Sequence, residues 1–266
     1  MSAEAMRVAM VTGGGGNIGS AVATRFAEGG CRVAVVDRDL GDAESVAASI
    51  NGELGEAQCL PIGCDVGDED QVAAAVGRCV GELGGLDVLV NNAGWGNQVP
   101  EIAEFDRATW DAILATNLTG PMLLMKHAAA HLAARYDAGL PPGERDAGMG
   151  AVVNMSSIRA MQSRQPNYAY SASKAGLIGI THDLAMSLGP AIRVNAIAPG
   201  WIATREYLQE QATPDEHALQ PTGRIGDGRD VAEACWYLCS PAAGFITGQV
   251  LTVDGGVSRL LAYEDH

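Results

Sequence analysis

Lysine is almost missing from this sequence: two residues in 266, at positions 126 and 174, against 15 arginines. No lysine- or arginine-rich run occurs, and acidic residues bring the formal net charge to -15. Such a chain repels phosphate backbones and acidic membrane surfaces, so neither nucleic acid nor a membrane is an expected partner. The six cysteines contain no CxxC pair, and His127 and His131, four apart in HAAAH, lack the glutamate of a zincin helix. No bound metal is expected, and Cys235 and Cys239 read as core filler. The N-terminus lacks a basic stretch, a long apolar core and a cleavage site in series, and the apolar run at 7–11 is too short to span a bilayer. A cytoplasmic location is expected. With no linker visible, residues 1–266 read as a single domain.

What the chain does have is glycine (34 residues) and 47% hydrophobic content. Short β-branched runs alternate with longer alanine-rich segments. Strands are predicted at 7–12, 32–37, 58–62, 86–91, 151–156, 192–196 and 249–253. Helices are predicted near 18–29, 41–51, 68–83, 106–135, 168–188 and 229–239. The strand runs show little polar alternation, as in a parallel sheet covered on both faces. The pattern predicts a doubly wound, Rossmann-type α/β fold with a seven-stranded parallel sheet and helices on both faces. Residues 134–150 read as a surface excursion. A substrate-side loop at about 201–228 follows the sixth strand at the edge where ligands collect.

The first strand runs into TGGGGNIG. Glycines let backbone approach a pyrophosphate, and the following helix N-terminus favours its charge. Gly13, Gly16, Asn17, Ile18 and Gly19 are the candidate contacts. The second strand ends in Asp37, 24 residues beyond Gly13, placed to hold the adenosine ribose hydroxyls. That carboxylate disfavours a 2'-phosphate, so the expected cofactor is NAD, although Arg38 is close enough to serve a phosphate. Asp65 and Val66 in CDV, and Asn92, Ala93 and Gly94 in NNAG, follow the third and fourth strands, where an extended dinucleotide would pass.

In YAYSASKAGL, Tyr170 and Lys174 lie one helical turn apart. An ammonium beside a phenol favours phenolate, so the Tyr170 pKa is expected below its usual value of about 10. Tyr168 lacks that spacing. Ser157, 13 residues before Tyr170 and just after the fifth strand, can hydrogen-bond the same substrate oxygen as charge develops. Asn117 falls inside a predicted helix, a poor propensity choice that points to a structural or catalytic hydrogen bond.

In their order and spacing these residues resemble the short-chain dehydrogenase/reductase family, in its classical branch, across nearly the whole chain. The resemblance implies a catalytic tetrad. Tyr170 would be the acid/base and Ser157 would polarise the substrate oxygen. Lys174 would bind the nicotinamide ribose, and Asn117 would hold a relay water. Pro199, Gly200, Ile202 and Thr204 match the segment that grips the carboxamide, and VDGG at 253–256 is a further match. The implied reaction is hydride transfer between NAD(H) and a small-molecule alcohol or carbonyl. The implied assembly is a homotetramer or a homodimer. Asn17 departs from the family's middle glycine and should change a contact near the pyrophosphate. Arg159, where the family has a small residue, either faces the active-site mouth or points to solvent.

Glu206, Tyr207, His217 and Gln220, with Trp95 and Trp201 as aromatic walls, suit a secondary alcohol such as a sugar or polyol, giving a ketone or lactone. The alternatives are an NADPH-dependent 3-oxoacyl thioester reductase and, in another class, an NAD-binding sensor or scaffold without turnover.

Overall fold

The structure, a computed structural model, describes residues 6–55, 59–98, 101–141, 143–162 and 166–260. Seven parallel strands form one sheet: β1 (Val8–Thr12), β2 (Arg32–Asp37), β3 (Cys59–Gly63), β4 (Val88–Asn91), β5 (Gly150–Met155), β6 (Ile192–Pro199) and, completing the sheet, β9 (Val250–Val253). Their order is β3-β2-β1-β4-β5-β6-β9. It reverses between β1 and β4, and a crevice opens beyond the strand ends at such a reversal.

Each strand residue projects to the face opposite its neighbour. Ala9 and Val11 join a core with Phe26 of α1 (Asn17–Glu28), Ala47 of α2 (Leu40–Leu54) and Cys235 of α9 (Gly228–Cys239). Val8 and Met10 face the other core, with Val76 of α3 (Glu69–Leu83), Leu124 of α5 (Gly120–Leu132) and Ala185 of α6 (Tyr168–Leu188). Both faces are therefore covered, which explains the unbroken apolar runs. Asp39 and Asp68 cap α2 and α3 by accepting from the Gly41 and Gln71 amides. All six cysteines are buried and unpaired, and burial alone pushes the Cys59 thiol up to about 11.

Two expectations need correction. The helix predicted near 106–135 is broken into α4 (Arg107–Leu114), a π-helical turn (Ala115–Thr119) and α5. Pro121 has no N–H to continue the ladder, and Gly120 lies so close to Val66 that a Cβ would stand 2.9 Å from its Cγ2. The 201–228 region is not irregular. It holds β7 (Ile202–Ala203), α7 (Arg205–Glu210), α8 (Pro214–Ala218) and β8 (Gly226–Asp227), with β7 and β8 paired in parallel at its root. Elements this short leave no readable period. Gln58, the predicted start of the third strand, and the last six residues lie outside the described residues.

Candidate active site

A cleft of about 530 Å³ runs along the C-terminal ends of the strands. Its floor begins at the turn between β1 and α1. Gly13 has φ +62, and a Cβ there would stand 2.9 Å from Ala93 Cα, so only glycine suits this close approach. Gly16 caps α1 without a side-chain hydrogen bond, which leaves first-turn amides available to an anion. Asn92 ties this turn to β4 by donating its Nδ2 to the Thr12 and Gly13 carbonyls at 2.9 and 3.1 Å. The Thr12 hydroxyl accepts from the Asn92 and Ala93 amides, both at 3.1 Å.

Asp37 stands at the cleft edge, held by amides of Gly15 at 3.0 Å and Asp39 at 3.1 Å. The Asp65 carboxylate accepts from the Gly67 amide at 2.9 Å. Gly13, Gly16, Asn17, Ile18, Gly19, Asp37, Arg38, Asp65, Val66, Asn92, Ala93 and Gly94 all line this end. Open amides, a glycine cradle and a fixed acid at its rim fit a dinucleotide.

At the other end, Ser157, Tyr170, Lys174, Pro199, Gly200 and Ile202 line the same cleft. Ser157 leaves β5 as the cap of a single 3-10 turn, its Oγ accepting from the Arg159 amide at 3.1 Å. Tyr170 lies in the first turn of α6, where the Ser157 hydroxyl acts on its phenol. Gly96 packs against the Tyr170 ring, so that a Cβ there would stand 2.9 Å from its Cδ2. Lys174 is buried, and its Nζ donates to the Met155 carbonyl at 2.7 Å. Loss of hydration pushes its pKa down to about 8.

The expected lowering of the Tyr170 pKa is not what the structure gives. Burial raises it, and the opposing influences are the Ser157 hydroxyl and then the charge of Arg159. Lys174 Nζ lies 5.5 Å from the ring centre, over the ring and bonded to the Met155 carbonyl. Arg159 thus acts on the phenol.

Asn117 is fully buried behind the cleft rather than on its wall. Its Oδ1 accepts from the Trp95 amide at 3.0 Å, and its Nδ2 donates to the Trp95 carbonyl at 2.8 Å and to Ser173 Oγ at 3.1 Å. Ser173 in turn donates to the Tyr170 carbonyl at 2.7 Å. A Cβ on Gly94 would stand 3.0 Å from Lys174 Nζ and 3.2 Å from Asn117 Oδ1, so Gly94, Lys174 and Asn117 converge. Ser156 donates to the Lys174 carbonyl at 2.8 Å and supports the helix.

Sequence reasoning overlooked the Ser173 hydroxyl and the Met155 carbonyl. A mid-helix serine and a backbone acceptor carry no signal in a single sequence. Thr204 does not line the cleft; it caps α7 by accepting from the Tyr207 amide at 3.2 Å. Tyr207 donates to Glu216 at 2.8 Å and packs on Trp201, His217 Nδ1 accepts from the Ile225 amide at 3.1 Å, and Gln220 is buried. Those three candidate substrate contacts are thus engaged within the loop itself. Trp95 does line the cleft, its Nε1 donating to Thr116 Oγ1 at 3.2 Å.

Comparison with known proteins gives a consistent picture. Residues 14–258 match the family model described as Enoyl-(Acyl carrier protein) reductase. The cis-4-hydroxycyclohexanecarboxylate dehydrogenase of Sinomonas cyclohexanicum is 40% identical, over 97% of this chain and 99% of its own length. The D-threitol dehydrogenase of Mycolicibacterium smegmatis is 35% identical, over 94% and 92%. The crystal structure of 3-ketoacyl-(acyl-carrier-protein) reductase from Brucella melitensis complexed with NADH superposes with a TM-score of 0.82 at 34% identity, covering 95% of this chain and 98% of that one.

Proposed function

The chain belongs to the short-chain dehydrogenase/reductase family of oxidoreductases, and we propose that it interconverts a small secondary alcohol and its ketone or lactone with NAD(H). The observation that carries this reading is the convergence of Ser157, Tyr170 and Lys174 at one end of a cleft whose other end is edged by Asp37. Asp37 supports NAD over NADP, because a 2'-phosphate beside it would meet like charge. The relatives named for D-threitol and for a hydroxycyclohexane carboxylate support an alcohol substrate.

The nicotinamide, when bound, supplies the acceptor or donor of hydride. Tyr170 Oη takes the proton of the substrate hydroxyl in oxidation and returns it in reduction. The Ser157 hydroxyl orients that oxygen and stabilises charge on it. Lys174 holds a positive charge behind the phenol, and Asn117 fixes the Trp95 backbone and Ser173 around it. Pro199, Gly200 and Ile202 would bound the carboxamide, and Thr204 follows them as the cap of α7.

Reduction of a 3-oxoacyl thioester stays as the second reading, favoured by the name of the Brucella melitensis protein. We read residues 1–266 as one catalytic unit, cytoplasmic, assembled as a homotetramer or a homodimer. Among the described residues no helix is long and apolar enough to cross a membrane. Exposed Met122 on α5, Met186 on α6 and Leu251 on the edge strand β9 support assembly through those faces. Absorbance at 340 nm with secondary alcohols, polyols and a 3-oxoacyl thioester, each with both nicotinamide cofactors, tests the assignment. Thioester reduction without alcohol oxidation would overturn the substrate class, and NADP(H) preference would overturn the role of Asp37.

A further inference from the structure

Position 17 carries asparagine where the family resemblance calls for glycine, and the side chain is used. Asn17 is the first residue of α1, and its Nδ2 donates to the Ala203 carbonyl at 3.1 Å across 186 residues of chain. Ala203 ends β7, directly before Thr204, the cap of α7. The other root of the same excursion also meets Asn17. β8 pairs with β7 through Ile202 with Gly226 and Ala203 with Asp227. Gly228, the next residue, comes so close that a Cβ on it would stand 3.0 Å from the Asn17 carbonyl oxygen. Both ends of the 204–225 excursion thus converge on the helix turn whose free amides line the cleft.

We propose that Asn17 is a positioning residue that ties the root of the 204–225 excursion to the glycine turn, and so holds residues 199–204 in register for the nicotinamide end of a dinucleotide. The inference rests on the dinucleotide reading of the cleft. A tie formed before binding removes an ordering cost at binding, and only for ligands that touch the ordered segment. ADP-ribose has the adenosine and pyrophosphate of NAD+ but no nicotinamide. The contribution of Asn17 therefore belongs to NAD+ and not to ADP-ribose.

The test is the ratio of the two dissociation constants, measured by titration calorimetry on the full chain. Asn17→Gly should weaken NAD+ about 3- to 10-fold, the worth of one neutral hydrogen bond, while ADP-ribose changes less than about 2-fold. Asn17→Asp keeps the side-chain volume but presents only acceptors to the Ala203 carbonyl. It should move the ratio the same way, even if its charge weakens both ligands. Amide exchange in residues 203–210 of the ligand-free protein should quicken in both variants, with β1 to β4 unchanged. Equal weakening of both ligands, or no weakening of either, would overturn the inference, as would unchanged exchange at 203–210. If the wild-type chain binds neither ligand, the dinucleotide reading itself falls, a separate outcome.

Discussion

Replacing Lys174 by methionine should stabilise the cofactor-free protein near neutral pH while abolishing turnover. Lys174 is buried with one hydrogen-bond acceptor, the Met155 carbonyl, and its pKa falls from 10.5 to about 8. Between those values the unfolded chain binds a proton that the folded chain does not, so stability rises with pH through that window. Below about pH 8 the lysine is charged in both states, and the fold bears the whole cost of holding it. That cost is about 3 kcal/mol for a shift of this size. Methionine keeps much of the stem and removes the charge, but strands the Met155 carbonyl at about 1–2 kcal/mol. The net expectation is a gain of about 1–2 kcal/mol at about pH 7, or a rise of a few degrees in Tm. Because wild type recovers its deficit as pH rises, the gain should vanish or reverse by about pH 10. Urea unfolding of both proteins at the two pH values reads this directly. A variant less stable than wild type by the same amount at both pH values would refute the reasoning.

Arg159 lowers the Tyr170 pKa against the effect of burial. Arg159→Ala should therefore move the basic group in the pH profile of kcat/KM for alcohol oxidation to higher pH, with Arg159→Lys restoring it; an unmoved profile would exclude an electrostatic role. Asp37→Ser keeps an acceptor for the Gly15 amide but removes the carboxylate. The NADP+ to NAD+ ratio of kcat/KM should rise at least about 10-fold, a change of about 1.4 kcal/mol, and a constant ratio would contradict the assignment.

The sheet was legible because each strand is a short apolar run between turn residues, and no competing period obscures it. The glycine turn and Asp37 were legible as well, since they depend on residue type at fixed chain separations. Asn117 was noticed as a misfit within a helix. Pro121, interior to the run read as one helix, signalled a break there, but its form as a π-turn that buries Asn117 depends on the close approach of Gly120 to Val66, which the sequence does not show. The sign of the Tyr170 shift could not be read from sequence. It depends on burial and on where the Lys174 ammonium ends up, and the ammonium finds the Met155 carbonyl. The ordered root of the 204–225 excursion was hidden for a similar reason. A two-residue strand pair and a bond from Asn17 to Ala203 exist only once distant segments meet.

In the proposed reaction, Tyr170 moves the proton in an NAD(H)-dependent exchange of alcohol and carbonyl. The most direct measurement compares wild type with Tyr170→Phe, following NADH formation from secondary alcohols and polyols alongside NAD+ affinity. Wild type should form NADH, kcat of the variant should fall about 10²–10⁴-fold, and NAD+ affinity should stay within about 3-fold. Turnover that survives in the variant, or a wild-type chain that binds NAD+ and oxidises no alcohol in the panel, would contradict the proposal.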